Sequence, residues 1–121
     1  MAEGALSPGL LWMDTDEFFF PEWEMGGRPW EVPEAYAAAD PSLQASTWRT
    51  PMLILHGRQD FRVTEVHALG AFGILQRQGV PSRLVLFEEA THHLGDRRDV
   101  AIWWAEVLGW MDRWLTPTSP P

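Results

Sequence analysis

The clearest pattern along the chain is a pair of short apolar runs that do not alternate. Met52, Leu53, Ile54 and Leu55 lead straight into His56-Gly57, and Leu84, Val85, Leu86 and Phe87 lead into Glu88-Glu89. Such runs predict strands covered on both faces, over about 51–56 and 83–88. Between them Val66, Leu69, Phe72 and Leu75 recur at helical spacing. Thr64 offers an N-cap and Gly79 with Pro81 a stop, so 64–78 reads as a helix. Further on, Trp103, Trp104, Val107, Met111 and Trp114 belong to a wide apolar stripe opposed by Glu106, Asp112 and Arg113, which predicts a helix over 99–115 with the stripe in the core. Upstream, Pro33 suits a first helical turn, and a short helix over 33–39 ends at Asp40-Pro41. No internal repeat is visible.

Strand, helix, strand with a crossover of this length predicts an α/β fold with two parallel strands joined right-handedly. Both strands then end at one edge of the sheet, and the loops after His56 and Phe87 emerge side by side. Asp60 lies five residues past Leu55, and His92 five past Phe87. Sites in open α/β sheets lie beyond the carboxyl ends of the strands. A carboxylate and an imidazole delivered there can meet in a hydrogen bond, the pairing that orients a general base.

Composition narrows the partners. A net charge of −8 over 121 residues argues against nucleic acid or an anionic membrane. There is no Cys, which excludes a disulfide framework and a thiolate metal site. All basic residues are Arg, and Asn is absent too. No segment reads as a membrane span, and Glu3, Pro8 and Gly9 argue against a signal peptide, so a cytoplasmic protein is expected. Five aromatic residues crowd into "LWMDTDEFFFPEWE" among five acidic ones, without a clean period; this reads as an irregular, partly buried loop.

The stretches "TPMLILHGRQDFRV", "LGAFGILQRQGVPSRLVLFEEATHHL" and "WWAEVLGWMDRWL" together resemble the end of the α/β-hydrolase catalytic domain of the prolyl oligopeptidase family of serine peptidases, the acylaminoacyl-peptidase and dipeptidyl-peptidase branches above all. "FFPEWEMGGRPWEVPEAY" resembles the segment before the aspartate strand. The likeness runs from Trp12 to Leu115, roughly nine-tenths of the chain. It implies that Asp60 is the triad acid and that the triad base is His92, chosen by counting from Phe87, with the adjacent His93 as the alternative; it implies peptide substrates and no cofactor. Two departures stand out: Thr64 follows Arg62-Val63 where the family usually has proline, and His93 sits beside His92 where it usually has one histidine. The domain reading is an unassigned segment 1–11, a partial hydrolase domain 12–115 and a disordered tail 116–121.

The triad serine of such folds sits on a G-x-S-x-G elbow ahead of the Asp and His. This sequence has no such motif. Ser42, Ser46 and Ser82 precede strands and belong to the opposite sheet edge, and Ser7 has too few residues before it to form the feeding strand. The expected partner is therefore an upstream catalytic chain or a second copy, which would also cover the aromatic surface. Three readings follow: a peptidase completed from outside, an esterase-like hydrolase fragment, or an inactive remnant serving as an interaction module. Of the other polar residues, His56 reads as a packed structural group and His67 as a solvated helical one. Arg62 either pins the Asp60 loop or is solvated. Glu88 and Glu89 could compete as the acid partner, but they sit closer to the strand end than to a loop apex. The four histidines show no metal-ligand spacing.

Overall fold

The computed structural model describes residues 4–115. The chain runs α1 (Pro8–Asp14), α2 (Phe19–Met25), α3 (Pro33–Ala38), a 3-10 helix (Pro41–Thr47), β1 (Met52–Gly57), α4 (Glu65–Arg77), β2 (Ser82–Phe87) and α5 (Arg97–Leu115). The disorder expected of 116–121 concerns positions outside the described residues. None of the described helices is long and apolar enough to cross a membrane.

The two apolar runs are the two strands, each within a residue of its expected bounds. They pair in parallel, Met52 opposite Ser82 through Gly57 opposite Phe87. The carboxyl ends therefore leave the sheet together, and the serine that begins β2 lies at the far edge. Gly79, at φ 67°, closes α4: the Val80 amide donates to the Leu75 carbonyl at 3.0 Å. Leu75, Val80, Phe87, Ala90 and Ala68 are buried around the crossover and form the core.

Two expectations are corrected here. "LWMDTDEFFFPEWE" is not an irregular loop: it runs from the second half of α1 through most of α2, helices of seven residues each. Pro8 opens the first at a position where its missing N–H costs nothing, and Gly26, at φ 83°, ends the second. Their apolar period is hard to see because Phe18, Phe19 and Trp23 point outward. The Trp12 indole donates to Glu22 at 3.0 Å and meets Trp30 edge-on at 5.1 Å, which ties the pair together. The α5 stripe is not core either, since the helix contains no buried residue. Trp103, Val107 and Trp110 are half-buried, while Trp104 and Leu108 are open.

Candidate active site

Gly57 makes the site possible. A Cβ there would lie 2.4 Å from the carbonyl oxygens of both Ala90 and Thr91. Only glycine lets the loop after β2 pass so close to the end of β1. The Gln59 amide then donates to the Ala90 carbonyl at 2.9 Å, and the Arg58 amide to that of Phe87 at 2.9 Å. The two loops are stitched together by backbone bonds before any side chain is considered.

Asp60 sits in this seam, 6% exposed. Its Oδ1 accepts from the amides of Arg62 and Val63, each at 3.0 Å. Those bonds fix the plane of the carboxylate. Oδ2 is thereby aimed at the neighbouring loop, where His92 Nδ1 lies 3.0 Å away. Because the carboxylate accepts, Nδ1 is the donor and Nε2 keeps its lone pair. That is the tautomer able to take a proton from a hydroxyl. The side chain of His92 keeps 19% of its surface exposed. His93 tilts against it, with ring centroids 5.0 Å apart.

A second imidazole borders the same carboxylate. His56 Nε2 donates to the Val63 carbonyl at 2.7 Å and lies 3.7 Å from Asp60 Oδ2. The expected packing role is met, beside a carboxylate that periodicity could not reveal. Arg62 pins the loop rather than being merely solvated, pairing with Glu17 at 3.3 Å. Glu88 turns outward to Arg58 at 3.0 Å. Its hydrogen bond, with help from Glu65, holds the Arg58 guanidinium above its ordinary value.

His67 corrects the sequence reading. It is 1% exposed, with Leu6 and Asp14 at its two nitrogens. The buried face of α4 is His67, Ala68 and Leu75, while Val66 and Leu69 of the larger apolar stripe lie open. The small side chains at Ala68 and Ala71 were the available signal for the inner face.

Comparison with known proteins agrees with this architecture. The sequence model of the prolyl oligopeptidase family matches residues 2–118. The dipeptidyl-peptidase 5 of Porphyromonas endodontalis is 34% identical over 108 residues, 86% of this chain, and that of Schizosaccharomyces pombe 38% over 109, 90% of the chain. The chain spans only 16% of either relative's length. In structure, the uncomplexed acylaminoacyl peptidase of Pyrococcus horikoshii superposes on 98% of this chain and 20% of its own, with a TM-score of 0.86 at 18% identity. The seam of two loops beyond two parallel strands is thus part of an α/β-hydrolase fold, and the chain belongs to the prolyl oligopeptidase family.

Proposed function

We propose that this chain supplies the orienting carboxylate, Asp60, and the general base, His92, of a serine peptidase acting on short peptides, while the nucleophilic serine comes from sequence outside these 121 residues. The observation that carries this reading is the 3.0 Å contact between His92 Nδ1 and an Asp60 carboxylate whose other oxygen is already held by two amides. In this mechanism His92 Nε2 takes the proton of the serine hydroxyl as it attacks the peptide carbonyl. It then gives that proton to the departing amine, and the cycle repeats with water. Asp60 keeps the ring in the required tautomer and stabilises the imidazolium.

The names of the relatives favour release of dipeptides. The outer edge of β1, which carries no neighbouring strand among the described residues, and the open stripe of α5 give the serine-bearing part a place to join. The test is the native particle mass with intact-mass analysis of its chains, together with hydrolysis of dipeptide anilides. A particle containing a G-x-S-x-G serine, whose hydrolysis is lost in His92→Ala, is expected. A particle of this chain alone that hydrolyses nothing, or hydrolysis indifferent to His92→Ala, would sink the reading.

A further inference from the structure

His67 is a buried titratable group that the Asp60–His92 pair does not touch. The Leu6 amide donates to its Nδ1 at 3.0 Å, and Nε2 faces Asp14 Oδ1 at 3.4 Å. A backbone amide can only donate, so Nδ1 carries the lone pair and the neutral ring bears its proton on Nε2, toward the carboxylate. The other oxygen of Asp14 accepts from the Thr64 hydroxyl.

These contacts lead to the site. Asp14 ends α1, and the residues after it are fastened to the loop that holds Asp60. The Asp16 amide donates to the Phe61 carbonyl at 2.8 Å, and Glu17 pairs with Arg62 at 3.3 Å. Thr64 follows Val63, whose amide holds Asp60 Oδ1. The segment from Leu6 to Glu17 is therefore a brace across the back of the Asp60 loop, and His67 pins it at two points.

The pin depends on the tautomer. A proton on Nδ1 would set two donors face to face at a ring only 1% exposed and leave the Leu6 amide without its acceptor. The ring borders a cleft of about 300 Å³ that His56, on β1, also lines.

We propose that His67 is a positioning residue for the Asp60–His92 pair, bracing the Asp60 loop through Asp14 in its Nε2–H tautomer; this rests on the reading of that pair given above. The test is NMR of the full chain in its native assembly with isotope-labelled histidine, which reads ring tautomers and the His92 Nδ1–H signal directly. The expected result is an Nε2–H tautomer of His67 at neutral pH. His67→Gln keeps an acceptor for Leu6 and a donor for Asp14 and should retain the His92 signal. His67→Ala removes both and should displace that signal, with the Leu6 amide exchanging about tenfold faster. An Nδ1–H tautomer of His67, a His92 signal displaced equally in His67→Gln and His67→Ala, or one unmoved in His67→Ala would each overturn the proposal. Failure of the peptidase reading shows separately, as hydrolysis that survives His92→Ala.

Discussion

The two flanks of β1 are finished to different degrees. At its carboxyl end, Asp60, His56 and His92 sit in a seam where the polar atoms find partners a few residues away or across two stitched loops. Among the described residues no buried side-chain nitrogen or oxygen lacks a hydrogen bond. Along its outer side, Met52, Leu53 and Leu55 face Trp103, Trp110 and Trp114 of α5 across an open cleft of about 490 Å³. The difference follows from the range of the forces. A hydrogen bond can be satisfied locally by a turn, whereas apolar surface is satisfied only by another surface of matching size. Among the described residues the polar half therefore completes its hydrogen bonds, and the apolar half stays open.

The largest expected effect breaks the polar half. In an assembly that contains the serine, His92→Ala should lower kcat by about 10⁴-fold or more, and Asp60→Asn by about 10⁴-fold through the wrong imidazole tautomer, with KM changed far less. Steady-state hydrolysis of a dipeptide anilide checks both. If Asp60→Asn kept full activity, the carboxylate would be only a turn-holding group.

The same substitution in the closed core and on the open apolar side sharpens the contrast. Leu75 is fully buried and Leu108 is 61% exposed. Leu75→Ala should cost about 2–5 kcal/mol in denaturant unfolding of this chain. Leu108→Ala should stay within about 0.5 kcal/mol there, yet weaken whatever association covers α5. Equal losses at both positions would mean that α5 is already covered in the free chain.

Gly57→Ala addresses the junction between the halves. Its added methyl meets two backbone oxygens that cannot step aside alone, so a loss of about 1–3 kcal/mol is expected. The His92 Nδ1–H signal should move with it, because the loop carrying His92 is the one displaced. A stable variant with an unmoved signal would show that the loops separate without cost.

How far the sequence reached depends on the same division. The strands, the α4 crossover and the meeting of Asp60 with His92 were legible because each follows from local order: an apolar run, a cap, a count of residues past a strand end. Gly57 was not, since its demand comes from Ala90 and Thr91, over thirty residues away. His67 was misread because the bulky Val66 and Leu69 outweigh the small Ala68 and Ala71 in any apolar pattern, although the small face is the one that fits against the sheet. The α5 stripe was recognised as apolar and assigned to a core; periodicity tells which side of a helix seeks cover, not whether the cover belongs to the same 121 residues. The short helices α1 and α2 escaped notice because two turns offer too few repeats when the aromatic residues face outward.

The smallest effect separates the halves by pH. Asp40 holds the 3-10 helix that feeds β1 as Asp60 holds its own loop, accepting from an amide two residues on, that of Ser42 at 2.8 Å. Burial pushes its carboxyl up, but hydrogen bonds from Ser42 and Ser7 outweigh that and hold it below its ordinary value of 3.8. A carboxyl lowered in the folded state stabilises fully above its unfolded value and loses that contribution as pH falls through the folded one. Asp40→Ala should therefore cost about 1 kcal/mol near neutrality and progressively less in acid, where the wild-type side chain is itself protonated. The penalty of Leu75→Ala, being apolar, should persist across the same range. Unfolding of both variants against wild type, at neutral pH and well below 3.8, decides it: a constant Asp40→Ala penalty would mean that the side chain acts as a neutral spacer, and that the polar half owes less to ionised caps than its geometry indicates.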